Sequence, residues 1–190
     1  MPRRPPFLQG SYYHIYNRGA GRQAIFRHER NYLYLLRLLK TVAGECSITV
    51  VAYCLLPNHY HWLLRQDGET AAGMVPTRVF GSYSQAFNRA YERTGTLFEG
   101  PYKALAVATD AYFVNVCSYI HLNAVHHGIV ATPEEWPYSN YLEWIEKRSG
   151  TLVDRELVRA YFANPQSYED FIRDSQRQHT FQEAASFLEG

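Results

Sequence analysis

The strongest constraint on the fold is a β-hairpin whose first strand is almost entirely apolar. Residues 48–56 form a nine-residue run of apolar and β-branched side chains. This pattern is typical of a buried strand and falls far short of the roughly 20 residues that span a bilayer. Pro57 and Asn58 follow the run and favour a turn. Residues 59–65 then predict the second strand, so the chain is expected to contain a sheet built around this hairpin.

The patterns on either side of the hairpin predict two more strands and three helices. Alternating, aromatic-rich segments predict the strands, and apolar residues at helical spacing predict the helices. The strands are expected at residues 11–17 and 102–108, and the helices at 30–42, 76–93 and 110–127. Asp110 is the expected N-cap of the third helix. This order of elements is that of the split βαβ or ferredoxin-like fold, an α+β antiparallel sheet with helices on one face.

The charge of the chain is divided between a basic body and an acidic C-terminal extension. Residues 1–132 contain 13 Lys and Arg against 7 Asp and Glu, a net charge of +6, whereas residues 133–190 contain 6 against 11, a net charge of −5. A basic body suits a polyanionic partner such as a nucleic acid, although a solvated basic surface gives the same count. The extension contains several apolar clusters, so we expect it to pack on or near the core.

The sequence favours a soluble protein of a reducing compartment. The basic residues at its start are not followed by the apolar run of a secretory signal. The three cysteines are an odd number without a CxxC pair, which argues against a disulfide framework or a zinc knuckle. We therefore expect a cytoplasmic protein with no membrane segment and with buried free thiols.

Four residues have spacings that combine into one chemical site. His59 and His61 are two apart on a predicted strand, so their imidazoles leave the same face and could chelate a divalent metal, although a structural pair has the same spacing. Tyr119 and Asn123 are four apart on a predicted helix and share one of its faces. An amide oxygen suits Mg²⁺ or Mn²⁺, and a tyrosine hydroxyl can hold a covalent intermediate. Together they fit a metal-plus-tyrosine site for phosphoryl transfer, although Tyr119 is also one of 16 tyrosines.

Five short motifs in one order resemble those of a known family. They are YHIYNRG at 13–19, LPNHYHWLL at 56–64, LFEGPYK at 97–103, YIHLN at 119–123 and EWPYS at 135–139. The second resembles the HUH motif (His, bulky apolar residue, His) of the HUH endonucleases. The fourth resembles the tyrosine helix of the single-tyrosine transposases. The whole set is most similar to the REP-associated tyrosine transposases.

This resemblance implies a function and a role for each site residue. It implies that residues 1–132 form an HUH single-tyrosine nuclease domain, followed by the extension at 133–190. The implied substrate is single-stranded DNA with a hairpin, which would be cleaved and rejoined, and the protein would be associated with the nucleoid. By position, His59, His61 and Asn123 are the implied ligands of Mg²⁺ or Mn²⁺. Tyr119 is the implied nucleophile and would form a 5′-phosphotyrosine intermediate.

Basic residues close to these motifs are the candidate DNA contacts. Arg3 and Arg4 lie on a Pro-rich N-terminal arm that could reach a groove or the backbone of a hairpin. Arg18, Arg22 and Lys103 are candidate phosphate contacts. For each of them, a solvated surface position is the alternative.

Several alternatives stay open at the level of the sequence. Tyr112 is a rival tyrosine on the same helix, but its i+4 residue is Val116, which cannot ligate a metal. A catalytically idle module that binds DNA or RNA hairpins would keep the fold without the chemistry. A metal hydrolase would instead use activated water and one of three histidines, His121, His126 or His127, and would leave no protein–DNA adduct. Both a monomer and a homodimer are compatible with the sequence.

Overall fold

The computed structural model describes residues 5–177 of the 190-residue chain, which contain a four-stranded antiparallel sheet. The strands are β1 (Tyr12–Arg18), β2 (Ile48–Leu56), β3 (His59–Gln66) and β4 (Lys103–Val107). Their order in the sheet is β2-β3-β1-β4, and each neighbouring pair is antiparallel. This is the strand order of the ferredoxin-like fold, so the predicted α+β class is confirmed.

Six α-helices accompany the sheet in the described part of the chain. They are α1 (Glu29–Glu45), α2 (Met74–Ala90), α3 (Asp110–His126), α4 (Tyr141–Trp144), α5 (Arg155–Tyr161) and α6 (Pro165–Arg177). The sequence pattern predicted Asp110 as the N-cap of α3, but the N-cap is Thr109. Thr109 has the extended backbone of a cap, and its side chain accepts a hydrogen bond from the Tyr112 N–H at 3.3 Å. Asp110 is instead the first helical residue.

The sheet carries a separate hydrophobic core on each face. On one face α1 and α2 pack against the sheet, and Phe80 of α2 stacks on Tyr60 and Trp62 with ring centroids 4.3 and 5.0 Å apart. Successive strand residues point to opposite faces, so His59 and His61 face the other side, which α3 covers. The predicted placement of helices on one face therefore holds for α1 and α2. Helix α3 adds a layer on the opposite face that the sequence pattern did not predict.

The described part of the extension, residues 133–177, pairs with the outer edge of the sheet. Strand β2 is the edge strand, and the extension bonds to it through Leu55 N–H to the Tyr138 carbonyl at 2.9 Å and Asn140 N–H to the Tyr53 carbonyl at 3.3 Å. An uncovered edge strand would present these groups to other chains. Helices α4, α5 and α6 then pack with α3 in the second core.

No helix within residues 5–177 is long and apolar enough to cross a membrane.

All three cysteines are buried and none forms a disulfide. Burial raises the pKa of the Cys54 and Cys117 thiols well above the ordinary value. Both thiols are therefore protonated and unreactive at neutral pH.

Candidate active site

The site lies between strand β3 and helix α3, on the sheet face opposite α1 and α2. His59 and His61 project from β3, and Tyr119 and Asn123 meet them from α3. The His59 Nε2 atom is 3.0 Å from Asn123 Oδ1. The His61 ring meets the rings of Tyr119 and His59 edge to face, with centroids 5.3 Å away in each case. The structure thus brings together the four residues that the sequence singled out.

Helix α3 is buried on both sides. Every residue from 116 to 124 is buried, since the sheet covers one side of the helix and the extension covers the other. An apolar surface all round is typical of such a helix. Tyr119 and Asn123 are consequently only 4 % and 1 % exposed. Their positions relative to β3 therefore depend on the position of the whole helix.

Each histidine of the pair uses its Nδ1 atom for a protein partner. His59 Nδ1 is 2.7 Å from Asn58 Oδ1, and His61 Nδ1 is 3.0 Å from His14 Nε2. Metal-ligating histidines are generally oriented in this way by the ring nitrogen that does not bind the metal. A proton on Nδ1 leaves the lone pair of Nε2 for a ligand. Asn58 was predicted only as a turn residue and His14 only as part of a strand, so the orienting role of neither was predicted.

Burial keeps these imidazoles neutral. The pKa of His59 is lowered to about 4, first by burial and then by the charge of His127. The pKa of His14 is lowered to about 3 by burial. The pKa of His61 lies well below the ordinary value, because of burial and then of the neighbouring His14. Since the neutral imidazole is the form that ligates a metal, the pair is in the right protonation state at neutral pH.

The contact between His59 and Asn123 tests whether the site fits a cation. A neutral His59 carries one proton, yet its two nitrogens face the amide oxygens of Asn58 and Asn123. With the proton on Nδ1, Nε2 and Asn123 Oδ1 are two acceptors 3.0 Å apart, while Asn123 Nδ2 is buried without a hydrogen-bond partner. Either a cation ligated by both atoms or a reversed Asn123 amide relieves this contact.

The donor set of this site fits a divalent cation. Imidazole nitrogens and an amide oxygen are ligands that Mn²⁺ accepts and that Mg²⁺ tolerates. Within residues 5–177 no group of three or more His, Cys, Asp or Glu is placed to hold a metal. A set of three protein ligands at this place would consist of His59, His61 and Asn123.

Tyr119 is the tyrosine of α3 that faces this donor set. Its ring contacts His61 and, with centroids 6.1 Å apart, His14. Tyr112 lies two turns earlier on the helix, where 36 % of it is exposed. The choice of Tyr119 as the nucleophile stays a prediction.

The other histidines of this region have different surroundings. His121 is fully buried on the far side of α3, where both ring nitrogens are hydrogen-bonded to the extension, so it cannot act on a phosphate at this site. The His127 and His59 rings are arranged edge to face, with their centroids 4.7 Å apart. The His126 and Tyr119 ring centroids are 6.3 Å apart. Of the three histidines named for a hydrolase that uses water, His126 and His127 are the two that lie near the site residues.

Two of the basic residues predicted to contact DNA lie beside the site on β1 and β4. Arg18 is paired with His59 in the β1–β3 register and forms an exposed ion pair with Glu99. Lys103 is paired with Tyr16 in the β1–β4 register, and its Nζ atom is 5.8 Å from the centroid of that ring. Arg18 is therefore one strand and Lys103 two strands away from the histidine pair on β3.

The remaining predicted contacts are in the loop after β1 and at the N-terminus. Arg22 has a left-handed backbone with φ of 58°, and its carbonyl accepts a hydrogen bond from Asn58 Nδ2 at 3.4 Å. This bond ties the loop to the residue that orients His59. Arg3 and Arg4 lie outside the described residues.

This chain is similar to known transposases in sequence and in fold. The sequence model of the IS200-like transposase family matches residues 8–123, a range that contains all four site residues. A REP-associated tyrosine transposase of Haemophilus influenzae is 28 % identical over 113 residues, which cover 54 % of this chain and 64 % of that protein. The solved structure of a REP-associated tyrosine transposase bound to a REP hairpin superposes with a TM-score of 0.65 at 17 % identity, over 81 % of this chain and 94 % of that one. This last likeness supports the fold.

Proposed function

Since the chain belongs to the IS200-like transposase family, as its motifs indicated, we propose that it is a metal-dependent endonuclease and strand transferase acting on single-stranded DNA beside a hairpin. The observation that supports this proposal most is that the Tyr119 ring contacts His61, next to the contact between His59 and Asn123. A module that only bound hairpins would have no use for this combination. We assign the activity to residues 1–132 and treat residues 133–190 as an extension.

His59, His61 and Asn123 would hold Mg²⁺ or Mn²⁺. A bound ion of this kind polarises the scissile phosphate and stabilises the charge of the transition state. The chain's own contribution is to present neutral imidazoles in one orientation. Asn58 and His14 supply that orientation through the two Nδ1 atoms.

Tyr119 would be the nucleophile. Its hydroxyl oxygen attacks the phosphorus in line, an O–P bond forms, and the bond from phosphorus to the 3′ oxygen breaks. The hydroxyl loses one proton and the departing 3′ oxygen gains one, so a 5′-phosphotyrosine and a 3′-hydroxyl are produced without a net change in protons. Attack by a 3′-hydroxyl on the adduct reverses the step. Because one phosphodiester is exchanged for another, strand transfer needs no nucleoside triphosphate.

The DNA would be held by the basic residues around the site. Arg18, Arg22 and Lys103 would contact the backbone, and Arg3 and Arg4 would add contacts from the N-terminal arm. The partner is then a single strand with a hairpin, and the protein is expected on the nucleoid as a monomer or a homodimer.

Covalent adduct formation tests this proposal. Single-stranded DNA hairpins labelled at the 3′ end are incubated with the protein and Mg²⁺ or Mn²⁺, and label that travels with protein is measured on a denaturing gel. Tyr119→Phe is expected to abolish the adduct while hairpin binding persists. Tyr112→Phe is the matched control on the same helix and is expected to form it.

The other outcomes separate the alternatives. Hairpin binding without adduct or cleavage in the wild-type protein would indicate an idle binding module. Cleavage without adduct would indicate a hydrolase that uses water. Adduct formation that is unchanged by a chelator would exclude the metal from the reaction.

A further inference from the structure

We propose that the extension positions the nucleophile helix for catalysis through a buried side-chain network of His121, Asn140 and Tyr168. The inference rests on the proposed function, because it concerns the same site. It assigns to the extension a role beyond covering the sheet. His121 and Tyr168 act as positioning residues, since neither faces the site.

The network begins on the side of α3 that faces away from the site. At about 100° per residue, His121 is turned about 200° from both Tyr119 and Asn123. Its ring is fully buried. His121 Nδ1 is 2.6 Å from the Tyr168 hydroxyl of α6, and Nε2 is 3.0 Å from Asn140 Oδ1 at the start of α4. Both nitrogens of this α3 residue are thus bonded to the extension.

The backbone of β2 fixes the orientation of the Asn140 amide. Its Oδ1 accepts from the Tyr53 N–H at 2.8 Å, and its Nδ2 donates to the carbonyls of Val51 at 2.9 Å and Leu152 at 3.1 Å. These partners allow only one orientation of the amide. Because Asn140 Oδ1 can only accept, His121 donates to it from Nε2–H. The His121 Nδ1 atom then accepts from the Tyr168 hydroxyl.

This network connects the two elements that carry the site. Asn140 is bonded to β2, and β2 is paired with β3 so that Cys54 lies opposite His61 and Leu56 opposite His59. His121 is one residue of the helix that carries Tyr119. Apolar packing alone restrains the rotation and sliding of a helix weakly, whereas a fully bonded polar network is directional. The network therefore sets the position of α3 relative to the histidine strand.

Removal of one hydroxyl tests this role with little change in packing. Tyr168→Phe keeps the ring, whose centroid is 4.7 Å from that of Trp144, but leaves His121 Nδ1 without its donor. Because displacements of about 1 Å can cost about 100-fold in rate, we expect the single-turnover rate of adduct formation to fall about tenfold. The Kd for the hairpin is expected to stay within about twofold, since no DNA contact changes.

The matched control is Tyr161→Phe. Tyr161 is also on the extension, and its hydroxyl donates a hydrogen bond to Asp110 Oδ1 of α3 at 2.8 Å. This bond is exposed and lies at the start of the helix. We expect its rate to equal that of the wild type. Rates are compared at a temperature at which circular dichroism shows both variants to be folded.

A second readout does not depend on turnover. Since Asn123 is on the same helix, Tyr168→Phe should weaken Mn²⁺ binding by about threefold or more in calorimetry without DNA. His121→Asn keeps an acceptor near the Nδ1 position and should retain more activity than His121→Leu. Equal rates and equal Mn²⁺ affinities in Tyr168→Phe and the wild type would overturn the inference alone. Failure of the wild-type protein to form any adduct would instead refute the proposed function.

Discussion

Acidification is expected to destabilise the folded protein through the buried ring of His121. Burial lowers the pKa of His121 to about 4, from the ordinary 6.5. The unfolded chain therefore binds a proton that the folded protein does not, at every pH between these two values. The free energy of unfolding falls as the pH is lowered through this window and levels off below pH 4. At about 1.4 kcal/mol for each pH unit, the loss is about 3 kcal/mol.

Urea unfolding of the wild-type protein and of His121→Gln measures this contribution. Both proteins are unfolded in metal-free buffer at several values between about pH 7.5 and about pH 4. Glutamine does not titrate, so the stability advantage of the wild type is expected to shrink by about 3 kcal/mol across the series. An advantage that stays constant would refute the argument that the fold holds this ring neutral.

Three further substitutions test the orientation of His61, the proposed DNA contact of Arg18 and the hydrophobic core between α3 and the extension. His14→Gln removes the partner of His61 Nδ1 and should weaken Mn²⁺ binding about 10-fold in calorimetry, whereas unchanged affinity would show that His14 does not support the ligand. Arg18→Ala should reduce by about 1 the slope of log Kd against log salt for hairpin DNA, measured by fluorescence anisotropy. An unchanged slope would leave Arg18 with only its ion pair to Glu99. Trp144→Ala removes a fully buried ring and should lower the free energy of unfolding by about 3–5 kcal/mol in urea, and a loss below about 1 kcal/mol would contradict its place in the core.

Features determined by local patterns were predictable from the sequence. Strand Ile48–Leu56 has the predicted bounds, because an apolar β-branched run ends at the turn signal of Pro57 and Asn58. Tyr119 and Asn123 share a helix face because that follows from the helical repeat alone. The strand repeat predicts the pairing of the two histidines on one face in the same way. These local rules placed the four residues together once the element order was known.

Features that depend on long-range pairing were not predictable. The bond between His14 and His61 joins β1 to β3 and depends on a register that no local pattern specifies. The partners of His121 lie 19 and 47 residues further along the chain, so its sequence context indicated a titratable group and not a structural one. The N-cap of α3 was misplaced by one residue because Thr109 and Asp110 are both good caps, and the backbone conformation decides between them.

The proposed function depends on a covalent bond between Tyr119 and DNA. Mass spectrometry of the trapped adduct tests it most directly, after nuclease trimming and proteolysis, with fragment spectra that assign the modified tyrosine. We expect a nucleotide linked through its 5′ phosphate to Tyr119, formed only with Mg²⁺ or Mn²⁺ and absent in Tyr119→Phe. A nucleotide on Tyr112, or cleaved DNA without any modified peptide, would contradict it.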